Sequence, residues 1–134
     1  MNYEKIRAAL ETHLNASSFS LPDIAWENVD YKPSTGTEFI KVQFLPTSRR
    51  PAVKGTNPRH RLQGIFRLLC HFPENQGPGN TQDLVENLID RFDSTTDIIL
   101  DGTTVRIEYT QQESSYSSSP WYITPVTVAW FSYT

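Results

Sequence analysis

The side chains best suited to nucleophilic, acid–base or metal chemistry are Cys70, His71, His60 and His13. A Cys-His dyad needs its thiol and imidazole within hydrogen-bond reach. Cys70 and His71, however, are neighbours in a stretch that alternates like a strand, which sends them to opposite faces. Cys70 therefore reads as a buried cysteine. The three histidines fall on three different expected elements and lack the spacing of metal ligands. Asp83, Glu86, Asp90 and Asp93 fall along one expected helix, the pattern of a solvated face. Gly77-Pro78-Gly79 precedes that helix but lacks the Lys-Ser/Thr of a phosphate-binding loop, and no G-x-S-x-G elbow or G-x-G-x-x-G fingerprint occurs. No catalytic residue, cofactor or metal is expected, and the chain reads as a non-enzymatic protein.

The charge feature of most interest is Arg49, Arg50, Lys54, Arg59, His60 and Arg61, clustered in a Pro- and Gly-containing loop between two expected strands and free of acids. Such a loop is either simply solvated or an arm that becomes ordered on a partner. It lacks the interleaved aromatics that stacking on single-stranded nucleic acid requires. The formal net charge of −3 and a pI near 5.5 give no global basic footprint for nucleic acid or an acidic membrane. A protein partner is the expected ligand of Arg49, Arg50, Lys54, Arg59 and Arg61, and Tyr116, Tyr122 and Trp130 join them as exposed-looking aromatics.

The elements that must position these residues follow from periodicity. Tyr3, Ile6, Leu10 and Leu14 recur at helical spacing within a first helix over 2–15. Ile24-Ala25-Trp26 is a short strand, Tyr31 to Thr37 a turn, and Ile40, Val42 and Phe44 alternate in a strand that Pro46 ends. Arg61 to Phe72 alternates again, with a second face only partly polar and expected to be half covered. Asn80 and Thr81 offer N-caps to a second helix carrying Leu84, Val85, Leu88, Ile89 and Phe92. Asp101-Gly102 marks a tight hairpin between Ile98–Leu100 and Thr103–Tyr109. Ser114 to Ser119 reads as a loop and Trp121 to Tyr133 as a closing strand, in which Pro125 suggests an edge or a bulge.

With 134 residues, this order predicts one domain over 1–134. Its expected class is α+β, with two helices packed on an antiparallel or mixed β-sheet. One cysteine cannot form an internal disulfide, no signal-peptide core is visible, and no apolar run approaches the ~20 residues of a membrane span. Folding in the cytoplasm without a membrane is expected. Asn15-Ala16-Ser17 matches a glycosylation sequon but reads as a helix end.

Four phrases in order carry a resemblance across nearly the whole chain: IRAALETHLN at 6–15, LPDIAWENVDYKPSTGTEFIKVQFLP at 21–46, HRLQGIFRLLCHFPENQGPG at 60–79 and WYITPVTVAWF at 121–131. Together they resemble the tail terminator, or tail-completion, proteins of long-tailed bacteriophages, also found in prophages. The Arg49 to Lys54 loop and the run from Gln111 to Ser119 match least well. The resemblance implies a structural virion protein, made in the bacterial host cytoplasm, that forms a hexameric ring on the head-proximal end of the tail tube. Such a ring would stop polymerisation of the tube protein and present a surface to the head-completion or neck protein. DNA would pass through it without being read. Two other readings fit the residues: a different neck or connector protein, and a small nucleic-acid-binding module using Arg49 to Arg61.

Overall fold

The protein is described from a computed structural model covering residues 3–17, 19–33, 36–51, 59–75 and 79–133. The amphipathic stripe of the first helix, α1 (Tyr3–Asn15), buries Ile6, Ala9, Leu10 and Leu14. That of the second, α2 (Gly79–Arg91), buries Thr81, Leu84, Val85 and Leu88. Asn80 and Thr81 lie inside the first turn of α2 rather than capping it. The strands are β1 (Asp23–Ala25), β2 (Phe39–Pro51), β3 (His60–Pro73), β4 (Asp97–Leu100), β5 (Thr103–Gln112), β6 (Tyr116–Ser118) and β7 (Trp121–Tyr133). They form one sheet in the order β1-β2-β3-β7-β5-β4, with β6 also on β7. β1 runs parallel to β2 and every other pairing is antiparallel.

The architecture corrects the expected two helices packed on a sheet. The fold is mostly sheet, with 51% of the described residues in strands, in a curled seven-stranded half-barrel. Strand length explains the difference. β2, β3 and β7 run to 13, 14 and 13 residues, long enough for right-handed twist to accumulate into curl. Register shifts at Pro46/Ser48 in β2 and Ile107/Tyr109 in β5 bend it further, as bulges do. Pro46 therefore does not end β2. The strand continues through a bulge that absorbs the missing donor, and the expected Ser-rich loop contains β6.

Pro125 also departs from expectation, sitting in β7 between β3 and β5/β6 rather than on an edge. Its carbonyl accepts from Glu113 N at 2.9 Å. In a strand a residue's N–H and C=O point the same way, so the absent donor faces the irregular residues between β5 and β6, where no ladder bond is lost.

Both helices lie on one side of the sheet, over the even-numbered residues of β3 and β7. The core joins Ile6, Leu10, Leu88 and Phe92 to Phe66, Leu68, Val126 and Val128. The C-terminal ends of the helices are tied reciprocally. His13 Nε2 donates to the Arg91 carbonyl at 2.8 Å, and Arg91 Nε and Nη2 donate to the His13 carbonyl at 3.0 and 2.9 Å, satisfying carbonyls that a helix end otherwise leaves unpaired. The β4–β5 hairpin turns on Asp101 and Gly102, both at positive φ (49° and 76°), as a type I′ turn requires.

Trp130, expected at the surface, is fully buried. It stacks on Phe44 at 5.3 Å and meets Tyr3 edge-on at 6.3 Å, and Tyr3 in turn donates its hydroxyl to the Ser48 carbonyl at 3.2 Å. Space for the indole comes from Gly64, opposite Trp130 in the β3–β7 register. A Cβ there would lie 2.6 Å from the Leu45 carbonyl oxygen and 2.7 Å from the indole. Gly64→Ala is therefore expected to destabilise the fold by about 1–3 kcal/mol, the usual cost of overpacking. Urea titration checks this, and an unchanged midpoint would show that the indole and β2 yield freely.

Candidate functional site

A strand alternates its side chains between two faces, and here only one face is covered. On the other, the open face, cross-strand rows run from β2 through β3 to β7. They comprise Lys41, Leu69 and Pro125; Gln43, Arg67 and Thr127; Leu45, Ile65 and Ala129; and Arg50, Arg61 and Tyr133. Tyr109 extends the Ala129 row on β5, and Tyr116 of β6 lies opposite Ile123. No helix lies across these rows among the described residues. The partly polar second face of β3 is therefore half-buried by its neighbours in the curled sheet and not by a second layer.

The exposed large apolar and aromatic side chains gather here. Leu45 (39% exposed), Ile99 (70%), Tyr109 (44%), Tyr116 (46%) and Tyr133 (37%) all belong to the open face. Val29, also exposed, sits in the loop after β1 that borders the same face. Scattered exposed hydrophobics need no explanation, but a patch rimmed by polar groups marks a contact surface.

The cations follow the same geometry. β2 and β3 contain no Asp or Glu, yet carry Lys41, Arg49, Arg50, Arg61 and Arg67. Arg61 is held in place: its guanidinium lies 4.2 Å over the Phe131 ring, Nη1 donates to the Tyr133 hydroxyl at 3.0 Å, Nε donates to Gln63 at 3.0 Å, and Glu108 lies 3.8 Å away. Arg50 faces Arg61 across the strands, a like-charge pair that the ring faces and Glu108 temper. Arg67 sits mid-sheet on the floor of a groove of about 740 Å³ bordered by Gln43, Gln111, Glu113 and Tyr116. Its Nε is buried without a hydrogen-bond partner. The nearby Glu113 carboxylate is engaged at 2.6 Å by the Thr127 hydroxyl.

The structure thus divides the residues singled out in the sequence. Arg50, Arg61 and Tyr116 share the open face, and Arg49 is exposed opposite Leu62, in the row that continues the helix-side face. Arg59 is exposed just before β3, and Lys54 lies outside the described residues. Trp130 leaves the set because it is core, and Tyr122 is half-buried. Sequence reasoning missed Leu45, Ile99, Arg67, Tyr109 and Tyr133. The available signal was the half-apolar second face of β3, but which strands would flank it was not readable.

The chemistry-bearing side chains are kept apart. Cys70 is buried on the helix side, where burial pushes its thiol up to about 12, and His71 is on the open face. His60 and His71 share β3, at opposite ends. No group of three His, Cys, Asp or Glu that could hold a metal occurs among the described residues, and no helix there is long and apolar enough to cross a membrane. His71 stacks on Phe39 at 4.3 Å and donates from Nδ1 to the Leu69 carbonyl at 2.9 Å. With Trp26, Tyr31 and Trp121 it lines a second, aromatic groove of about 450 Å³. Burial pushes the His71 imidazole below its ordinary 6.5; the Leu69 bond opposes this and Lys41 adds to it. His13 is lowered too, first by burial.

A histidine whose folded pKa is depressed is neutral in the fold, while the unfolded chain takes up the proton first. Stability is then fully present above about 6.5 and falls as pH drops toward the depressed values. The thermal midpoint should decline between pH 7 and 5, and less steeply in His71→Gln. Equal slopes in the two proteins would show that His71 is not responsible.

The family described as phage tail terminator protein matches the chain over residues 5–130. A solved structure aligns with 100% of this chain and 96% of its own length at 19% sequence identity, with a TM-score of 0.76, a likeness that shows a shared fold. No curated protein sequence matches.

Proposed function

We propose that this chain, which belongs to the phage tail terminator protein family and is thus a structural component of a virion tail, caps the head-proximal end of the tail tube as a hexameric ring. In that position it stops polymerisation of the tube protein and offers a joining surface to the head-completion or neck protein. DNA passes through without sequence-specific binding. The observation that carries the reading is the family match over almost the whole chain. The geometry supports it, because a ring component needs at least two different contact surfaces on each protomer. This protomer has a sheet with helices on one face and an exposed apolar and aromatic patch on the other.

Head-to-tail contacts join unlike patches and close into a ring when the rotation allows. A contact built from a central apolar cluster with a polar rim is the usual anatomy of such surfaces. The Arg49 and Arg59 end of the β2–β3 hairpin is then the surface offered to a neighbouring tail or neck protein, together with the Tyr116 side of the sheet.

Two measurements test this. Mixing the purified protein with growing tubes of the matching tube protein should arrest growth and leave ring density at one end in negative-stain images. Continued growth with bare ends would overturn the proposal in favour of a head-side connector. In a tail–head joining assay, Arg49→Ala/Lys54→Ala should reduce joining at least about tenfold, the cost expected for losing interfacial charges. Joining at the wild-type level would remove the hairpin end from the contact.

A further inference from the structure

The formal charge of −3 hides a strong separation across the protomer. The β2–β3 half of the open face carries Lys41, Arg50, Arg61 and Arg67 with no carboxylate on either strand. On the opposite side, α2 turns Asp83, Glu86 and Asp90 to solvent. None of these three forms an ion pair among the described residues. The cation at the end of that helix, Arg91, is already committed to the His13 carbonyl. α1 is balanced by contrast, with Arg7 engaged by Glu4 and Glu11.

We infer that the ring closes through these two surfaces: the acidic outer face of α2 in one copy docks on the cation-rich β2–β3 half of the open sheet face of the next. This rests on the ring reading and specifies its self-contact. Three features favour a second copy as the occupant. The surfaces are opposite in charge. They lie on opposite sides of the protomer, so the contact is head-to-tail and cannot be satisfied within one isologous pair. The open face also has the chemistry of a sheet lacking its second helical layer, since helices on both faces are a standard way of covering a sheet. Leu45, Ile65 and Leu69 supply apolar floor, and Arg67, whose buried Nε lacks an acceptor, supplies a donor. An incoming carboxylate from α2 pairs with the Arg67 guanidinium by a charge-assisted hydrogen bond.

Charge reversal on each surface separately provides a test that does not require knowing the detailed fit. Lys41→Glu/Arg50→Glu cancels the positive excess of the sheet surface, leaving two carboxylates beside Arg61 and Arg67 to face the acidic α2, and Asp83→Lys/Glu86→Lys/Asp90→Lys makes both surfaces positive. All five positions are exposed, so each variant should keep its circular dichroism spectrum and melt near the wild type. The milder Lys41→Gln/Arg50→Gln and Asp83→Asn/Glu86→Gln/Asp90→Asn pair replaces any variant that does not fold. Assembly is read as the fraction of tube ends bearing a ring and, in solution, by sedimentation.

Each reversed variant alone should lose ring formation by about tenfold or more. A one-to-one mixture should restore assembly above either variant alone, because an even-membered ring can alternate the two: wild-type helix meets wild-type sheet at every second contact, and the new lysines meet the new carboxylates at positions 41 and 50 at the others. With the neutral pair, each variant alone should weaken assembly, and raising salt should weaken the wild type. Wild-type assembly by either reversed variant alone, or a mixture no better than its parts, would overturn the inference while leaving the ring intact. Loss of duplex DNA binding in Lys41→Glu/Arg50→Glu with ring formation unchanged would also overturn it and assign the basic face to phosphate. Absence of rings with the wild type would instead strike the ring reading itself.

Discussion

The register between β3 and β7 holds the molecule together. Thirteen consecutive residues of β3, Arg61 to Pro73, pair with Tyr133 to Trp121 without interruption, while the pairings of β2 and β5 against these strands each contain a shift. The central ladder is therefore straight in register and its flanks are bent. A one-residue slip would exchange the two faces, putting Arg67 and Arg61 under the helices and Phe66 and Leu68 outside. Gly64 guards against that slip, because a side chain opposite the Trp130 indole would crowd both it and the Leu45 carbonyl.

Once that ladder is set, covering the sheet becomes a question of supply. Two helices of 13 residues each are enough for one face, and their reciprocal His13–Arg91 tie fixes them as a pair over it. The chain has no third helix among its described residues, so the opposite face must be managed by strand curl, by aromatic packing such as Phe39 on His71, and by cation–π contact such as Arg61 on Phe131. Those devices bury Ile123, Thr127 and Ala129 but leave a rim of Leu45, Tyr109, Tyr116 and Tyr133. The surface proposed for contact is thus a consequence of the fold's proportions and not an addition to it.

This also explains what the sequence disclosed. Features resting on local physics were legible: the helical stripes of α1 and α2, the Asp101-Gly102 turn, and the strand alternation that separates Cys70 from His71. Those depending on which strands become neighbours were not. Pro46 and Pro125 read as a terminator and an edge signal because proline lacks a donor. Their actual settings, a bulge in β2 and the seam between β5 and β6, are properties of the assembled sheet. Trp130 looked exposed for the same reason, since its burial depends on Gly64, 66 positions earlier in the chain. The fold class was misjudged because counting elements says nothing about curl, which comes from strand length and bulges together.

Of the candidate site, the basic cluster was visible as composition, but its division was not. Alternation sends Arg50 and Arg61 to the open face and Arg49 to the other, and only the register joins Lys41 and Arg67 to the first group. Net charge misleads in the same way. A value of −3 argues against a strongly basic partner for the protein as a whole, yet two adjacent strands hold no acid while α2 turns three carboxylates outward. Screening limits the reach of surface charges to about 8–10 Å at physiological salt. What a neighbour meets is therefore the local face and not the sum. For a member of a structural tail-protein family, the informative quantities are which face is left uncovered and what sign of charge each side carries. Both are set by strand neighbours and helix placement, the level of structure at which sequence periodicity stops being sufficient.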